Sequence, residues 1–363
     1  MTSDLNILLF HDSFDSVGGA GRVAATIARA FDAQIASTNV DDAVLRDLGI
    51  NRDAVHDLGT VAHGAPLGPI ESSILFKKAH FSGFDTYIFS GNWAIYASYK
   101  HKPNVYYCHT PCREFYDLKS YALASQTNLP KKAIAWAWTT AHARFDGRAV
   151  QQVDQILANS VNVQDRIRRY YKRESEVVYP PIRTEKYRTK EFGDFWLSVN
   201  RLYPEKRVEL QIETFRRLPD EQLLIVGGFS SRDVSLSRYH KIFDDMPRNV
   251  KILGWVQEDE LLELYAKCRG VLFTALDEDF GMVAVEAQAS GKAVVGVNEG
   301  GLQETVISGV TGFLKNPDPG SLAAAVSCVS KEPERYRDAC IENARRFDED
   351  IFVAKMRRYL CGE

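Results

Sequence analysis

A rhythm in the sequence constrains this chain most: short apolar runs alternate with helix-like stretches, and the whole series is played twice. Runs at 5–10, 34–37, 86–90, 105–108 and 155–158 read as strands, with a helical pattern at 22–31 between the first two. A second series lies at 195–199, 222–226, 250–253, 270–273 and 293–296, with helical patterns at 206–217, 258–266 and 282–290. Alternation of this kind predicts parallel sheets covered by helices on both faces. The length, 363 residues, is too great for one ordinary core and suits two. Tyr179-Pro180-Pro181 falls between the two series, and a Pro-Pro pair favours extended backbone over helix. The expectation is an α/β chain of two Rossmann-like, doubly wound parallel-sheet domains, residues 1–181 and 182–347, facing a cleft. A last helical pattern at 348–360 predicts a C-terminal helix, within 348–363, that packs back on the first domain.

Composition excludes several classes. Forty-five basic against 48 acidic residues leave a net charge of −3, so no basic field exists for nucleic acid. The six cysteines (108, 112, 268, 328, 340 and 361) include one pair four apart, Cys108 and Cys112, without a second pair at zinc-site spacing. They read as reduced thiols in a cytoplasmic protein, and no metal site is expected. The first apolar run is short and flanked by Asp4 and Asn6, unlike a signal peptide. No stretch approaches the roughly 18 apolar residues of a membrane span. Any membrane contact is therefore expected to be peripheral, at the inner face.

Ligands of open α/β sheets sit beyond the carboxyl ends of the strands. In the second half that position holds Glu278-Asp279-Phe280-Gly281-Met282-Val283-Ala284-Val285-Glu286. Glu278 falls in a loop, and Glu286 lies two turns into a helix that starts near Gly281. The free N–H groups and dipole of such a helix start favour an anion such as a diphosphate, and Gly281 lets backbone approach it closely. A carboxylate on that helix can accept from both ribose hydroxyls, and Glu278 from hydroxyls of a sugar. Glutamates at this spacing are common by chance, so two solvated side chains are the alternative. Asn200-Arg201-Leu202-Tyr203-Pro204-Glu205-Lys206 follows the strand at 195–199. A cation at a helix start opposes the dipole, so Lys206 needs another reason to be there. With Arg201 it can stabilise the charge developing on a departing nucleoside diphosphate.

These segments together resemble glycosyltransferase family 4, whose architecture is called GT-B. The likeness runs through Val199-Asn200-Arg201-Leu202 with Lys206, Leu224-Ile225-Val226-Gly227-Gly228 and Ile252-Leu253-Gly254-Trp255-Val256. It continues through the Glu278–Glu286 segment, Gly300-Gly301-Leu302-Gln303-Glu304-Thr305-Val306 and Gly309-Val310-Thr311-Gly312-Phe313-Leu314. The resemblance implies that Arg201 and Lys206 hold the diphosphate and Glu286 the ribose. It implies that Glu278 and the backbone at Phe280, Gly281, Met282 and Val283 hold sugar and phosphate. The base is then expected near Gly227, Trp255 and Val256. Such enzymes retain anomeric configuration, and the donor sugar is a substrate, with no cofactor or metal.

In the first half, Gly18-Gly19-Ala20-Gly21 precedes a helix. The run fits a dinucleotide fingerprint only formally, because seven residues separate it from the strand at 5–10. By resemblance Gly18 and Gly19 face the donor phosphate, and a flexible helix cap is the alternative. Tyr107-Cys108-His109-Thr110-Pro111-Cys112-Arg113-Glu114-Phe115-Tyr116-Asp117 looks like the His-Thr-Pro-x-Arg-x-x-x-Asp signature of an O-antigen mannosyltransferase-like branch. Arg144-Phe145-Asp146, Ala158-Asn159-Ser160 and Arg166-Ile167 extend that likeness. It implies that His109 contacts the donor sugar and that Arg113 lies near sugar or acceptor. Trp136 and Trp138 follow Lys131-Lys132 on a predicted helix; aromatic residues there are more often core, and a membrane interface stays open.

The implied reaction moves a hexose, mannose from GDP-mannose or else a sugar from a UDP donor, to a glycan or lipid-linked hydroxyl. Front-face substitution needs no dedicated protein base, and double displacement through a carboxylate stays open. A nicotinamide-dependent oxidoreductase on the glycine loop leaves Arg201, Lys206 and Glu278 unexplained. A noncatalytic nucleotide-sugar-binding protein predicts binding without turnover.

Overall fold

A computed structural model describes residues 5–62, 64–124, 128–228 and 245–361. The chain divides into two compact units, one of residues 1–181 with 352–363 and the other of residues 182–351. Each is built on one wholly parallel sheet, so the expectation of two doubly wound sheets is borne out.

The strands of unit 1 are β1 (Ile7–Phe14), β2 (Gln34–Val40), β3 (Val55–Asp57), β4 (Thr86–Ser90), β5 (Asn104–Cys108), β6 (Gln155–Ala158) and β7 (Glu176–Val177). Their order across the sheet is β3-β2-β1-β4-β5-β6-β7. Every residue of β4 and β5 is buried, as continuous apolar runs require when helices cover both faces. Alternate residues feed opposite cores: Leu8 and Phe10 one face, Ile7 and Leu9 the other. The second of these cores also takes Phe352, Met356 and Leu360 from the C-terminal helix Glu349–Cys361.

Strand β1 runs four residues beyond the expected 5–10. Its polar end, His11-Asp12-Ser13, hides the strand from a hydrophobic reading but bonds into the neighbouring strand and loop. The pairing with β2 is irregular there, between His11 and Ser13 and between Ser13 and Phe14. Only Asp15, Ser16 and Val17 therefore separate the strand from Gly18, so the long gap read from the sequence does not exist. Strands β3 and β7 were not legible either; both are edge strands of two or three residues.

Unit 2 holds β8 (Phe195–Val199), β9 (Gln222–Val226), β10 (Val250–Gly254), β11 (Val271–Phe273), β12 (Val294–Val297) and β13 (Gly312–Lys315), ordered β10-β9-β8-β11-β12-β13. The order reverses between β8 and β11, as it does between β1 and β4 in unit 1. Ligand crevices of doubly wound sheets open at such reversals. The helix expected from residue 206 instead starts at Val208. Pro204–Lys206 form a 3-10 turn, and Arg207 sits between turn and helix in the left-handed region at φ 51°.

Candidate active site

The loop after β8 is clamped to its neighbours by main-chain bonds. Asn200 N–H donates to Val226 O at 3.0 Å, and Leu202 N–H to Gly228 O at 3.2 Å. Gly227 has φ +117°, and a Cβ there would fall 2.1 Å from Asn200 O, so no other residue fits. On the other side Leu276 N–H donates to Glu205 O at 2.7 Å, and the Thr274 hydroxyl to Lys206 O at 2.8 Å. Lys206 is thereby fixed beside the loop that follows β11.

Its ammonium meets Glu278 Oε2 at 2.6 Å, a contact between residues 72 apart in sequence. Burial works against the charged ammonium, but Glu278, with Asp279 and Glu205, outweighs it and holds Lys206 above its ordinary range. Arg207 pairs with Glu299 at 3.0 Å, and the same Glu299 oxygen accepts from Asp277 N–H at 3.3 Å. Arg201 is half-buried, and among the described residues no carboxylate pairs with it.

The helix Met282–Ala289 opens on Gly281 at φ +89°, with no side-chain cap and no acid in its first turn. Its first N–H groups are thus available to an anion. Gly281 is required for this left-handed turn, and a Cβ there would make only ordinary contact with Leu302 at 3.5 Å. Glu286 is 5% exposed and accepts from the Tyr265 hydroxyl at 2.9 Å. The Phe280 side chain is core, edge-on to Phe347 at 5.3 Å, which leaves its backbone for any role at the site. Met282 and Val283 are half-buried at the helix start. The loop carrying Gly300 and Gly301 presses on this segment: Cβ atoms there would fall 2.4 Å from Glu278 O and 2.5 Å from Phe280 Cα. Gly228 lies under the Trp255 indole, whose Nε1 would be 2.7 Å from an added Cβ. Trp255 is 62% exposed, and Val256 beside it is half-buried.

In unit 1 the helix Gly19–Phe31 starts at Gly18, again without side-chain cap or acid in the first turn. Beside it lies a buried polar cluster that the sequence did not single out. The Asp12 carboxylate accepts from the backbone N–H groups of Asn92, Trp93 and Ala94 at 2.7, 2.8 and 2.7 Å. Burial nevertheless pushes its pKa up to about 6. Gly91 packs on that carboxylate so closely that an added Cβ would lie 2.3 Å away. His11 Nδ1 meets Ser90 O at 2.8 Å, and the Ser90 hydroxyl meets His109 Nε2 at 2.9 Å. Burial lowers His11 to about 4, and burial with the neighbouring His11 lowers His109 to about 3. Both rings are neutral at neutral pH.

Arg113 sits in a 3-10 turn, Arg113–Phe115, and is committed to Asp117 at 2.8 Å. Nearby Asp146, 2% exposed, accepts from the Tyr116 hydroxyl at 2.9 Å, and burial raises it to about 7. Trp136 corrects an expectation: it is 57% exposed rather than core. The first turns of the helix Leu129–Val150 carry it outward, and only later residues such as Thr139, His142 and Asp146 reach the interior. Trp138 is half-buried against Phe115 at 5.3 Å. The structure thus brings Lys206 to Glu278 directly, ties Glu286 to Tyr265 and Arg113 to Asp117, and adds Arg207, Glu299, Thr274, His11, Asp12 and Ser90. The visible signal for the last group was a polar His-Asp-Ser triplet continuing an apolar strand.

Among the described residues no helix is long and apolar enough to cross a membrane, and no three His, Cys, Asp or Glu are grouped to hold a metal. The family model described as glycosyl transferases group 1 matches residues 181–347. The chain is similar to the mouse alpha-1,3/1,6-mannosyltransferase ALG2, 26% identical over 243 residues, 57% of this chain and 58% of the relative. It is 36% identical over 179 residues to the glycogen synthase of Mycobacterium tuberculosis H37Rv, 46% of this chain and 42% of that one. It thus spans less than two thirds of the length of these curated relatives. Among solved structures, Anabaena HepE in complex with UDP and glucose superposes with a TM-score of 0.77 at 20% identity, over 99% of this chain and 100% of that one.

Proposed function

The chain belongs to glycosyltransferase family 4 and has its GT-B fold, and from that premise we propose that it is a retaining hexosyltransferase. One observation carries the reading: the Lys206–Glu278 pair stands at a strand end beside an uncapped helix start, with Arg201 unpaired by any described carboxylate. Positive charge and free N–H groups at one sheet edge suit a nucleoside diphosphate.

Arg201, Lys206 and the backbone at Phe280–Val283 hold the diphosphate. Glu286 accepts from ribose hydroxyls, and the base lies by Gly227, Trp255 and Val256. Glu278 accepts from a sugar hydroxyl while orienting Lys206. From unit 1, Gly18 and Gly19 serve the phosphate and His109 the sugar. Arg113 serves the acceptor side through the Asp117-anchored turn. The bond from the anomeric carbon to phosphate oxygen breaks as the acceptor oxygen bonds to the same face. The acceptor proton passes to the departing phosphate oxygen, so the product keeps the donor's configuration. Charge on the leaving group is met by Arg201 and Lys206 without a divalent ion, and activity survives EDTA.

GDP-mannose is the first donor candidate, supported by the mannosyltransferase relative; a UDP-sugar is second, supported by the UDP and glucose in HepE. A thermal-shift panel of nucleotide sugars separates them, since a ligand at 100 times its Kd adds about 2.7 kcal/mol. Proton NMR of the product then reads the anomeric centre: an α-linked donor giving a β-linked product overturns retention.

The acceptor is a glycan or a lipid-linked sugar. The lipid-linked form is supported by the outward side of the helix Leu129–Val150, where Leu129, Ile134, Trp136 and Phe145 are all exposed. Lys131, Lys132, Arg144 and Arg148 accompany them, while the helix's one acid, Asp146, is buried. Apolar and cationic side chains together suit an anionic bilayer surface at the cytoplasmic face. Flotation with vesicles containing phosphatidylglycerol, lost in Trp136→Ser and absent with neutral vesicles, is the expected result.

A further inference from the structure

We infer that Ser90 is a positioning residue for His109: its hydroxyl, sealed at the end of β4, donates to His109 Nε2 and fixes the ring with its proton on Nδ1. This rests on the reading that His109 serves the donor sugar.

Ser90 is 0% exposed, and its hydroxyl has one hydrogen-bond partner among the described residues, His109 Nε2 at 2.9 Å. A hydroxyl carries a single proton to donate, and a buried donor without an acceptor costs about 1–3 kcal/mol. Were Nε2 protonated, it would donate to Ser90 Oγ and leave that hydroxyl proton orphaned. With Nε2 bare, both groups are satisfied by one bond. The Nδ1–H tautomer of His109 therefore follows from burial and from the bond itself.

The rest of the cluster holds Ser90 where this requires. His11 Nδ1 meets the Ser90 carbonyl oxygen at 2.8 Å. A carbonyl only accepts, so His11 carries its own proton on Nδ1 and grips the main chain of Ser90. The next turn is clamped by Asp12, which takes the N–H groups of Asn92, Trp93 and Ala94. The His109 ring is flanked edge-on by Tyr107, with centroids 5.2 Å apart. Neither ring is charged at neutral pH, and burial and the nearby His11 both disfavour a proton on His109.

A chemical consequence follows. With Nε2 engaged and Nδ1 protonated, His109 offers a ligand a hydrogen-bond donor and has no free lone pair. It can donate to an oxygen of the sugar but cannot take the acceptor hydroxyl's proton. That proton goes to the leaving phosphate oxygen, as the front-face route has it.

Long-range nitrogen–proton correlation spectra of the full chain labelled at histidine report the tautomer directly, with His109→Gln identifying the signal. The expected result is an Nδ1–H ring in the wild type and a mixed or Nε2–H ring in Ser90→Ala. Ser90→Thr, which keeps the hydroxyl, restores the wild-type signature. In Ser90→Ala kcat should fall about tenfold, the effect of one hydrogen bond, with free nucleotide bound as before. An Nε2–H ring in the wild type, or an unchanged tautomer in Ser90→Ala, overturns the inference. A wild-type chain with the Nδ1–H ring but no transfer from any nucleotide sugar would instead overturn the proposed function and leave this assignment standing.

Discussion

The two units place polar clusters at equivalent points, the strand-order reversals of their sheets, but build them from opposite electrostatics. Unit 1 gathers groups that burial keeps neutral or nearly so: His11, His109 and Asp146, with Asp12 satisfied by three backbone N–H groups. Unit 2 gathers opposite charges in pairs, Lys206 with Glu278 and Arg207 with Glu299, and leaves Arg201 without a described carboxylate. A cluster of neutral rings and buried, hydrogen-bonded carboxyl groups orients a ligand and can do little for developing negative charge. A cationic cluster held by carboxylates can stabilise a leaving anion. Under the proposed function, unit 1 would orient and unit 2 would stabilise charge.

The largest expected effect tests that division. Arg201→Ala and Lys206→Ala should each lower kcat by about 10²–10³, the usual cost of one such electrostatic contact. Circular dichroism should show both folded. Near-normal turnover in both variants, with a heavy loss in His109→Ala, would move the charge work into unit 1 and dissolve the comparison.

The two glutamates of unit 2 sharpen it. Glu286→Ala should weaken free nucleotide by about 10–100-fold, the value of hydrogen bonds to a charged acceptor. Glu278→Ala removes the partner that holds Lys206 at 2.6 Å and frees that ammonium for phosphate. Free nucleotide should then bind at least as well as in the wild type while sugar transfer falls. Calorimetry with GDP and UDP separates the cases, and equal weakening by both substitutions contradicts the split.

The same contrast explains what was legible. Strands were readable to the residue in both units, Phe195–Val199 and Gln222–Val226 in unit 2 and Thr86–Ser90 and Gln155–Ala158 in unit 1, but in unit 2 the charged residues also stand out at strand ends against apolar runs. In unit 1 the polar residues His11 and Asp12 sit inside a strand, where they look like its end. Their partners are main-chain groups of residues 90–94, about 80 positions away, which no side-chain pattern reports. Gly281 was legible as special, but its left-handed turn was not, because a positive φ leaves no periodicity to read. Trp136 was misplaced because helix periodicity tells which residues share a face, not whether anything covers it.

A pH effect follows from unit 1. His11 and His109 have lowered pKa values, about 4 and 3 against 6.5, so their contribution is present above pH 6.5 and is lost as pH falls toward 4. Asp12 and Asp146 are raised, to about 6 and 7 from 3.8, so theirs is present below pH 3.8 and is lost as pH rises through 6 and 7. The two pairs oppose each other between pH 4 and 6. Asp146→Asn keeps an oxygen for the Tyr116 hydroxyl and removes one titration. It should stabilise unit 1 by about 1–3 kcal/mol at pH 8, little at pH 4, and steepen the loss on acidification. Thermal melts from pH 4 to 8 read this, and a variant less stable than wild type at pH 8 refutes the buried-acid assignment.

The smallest effect is expected at Arg207, where unit 2 spends a third cation on a carboxylate. Its backbone is left-handed at φ 51°, which costs a non-glycine residue roughly 1 kcal/mol and asparagine less. Its guanidinium pairs with Glu299 at 3.0 Å, both side chains about a quarter exposed. Pairs near solvent contribute about 0–1 kcal/mol. Arg207→Asn relieves the first cost and forfeits the second, so the two nearly cancel. Stability should change by less than about 1 kcal/mol, a Tm shift of no more than about 2–4 °C for a unit of this size. Glu299 keeps its bond from Asp277 N–H, so the loop stays in place. Transfer should then fall far less than in Arg201→Ala, because Arg207 is committed to a carboxylate and Arg201 has none among the described residues. A loss of about 10² in kcat on Arg207→Asn, with stability unchanged, would make Arg207 a diphosphate ligand and Glu299 its competitor.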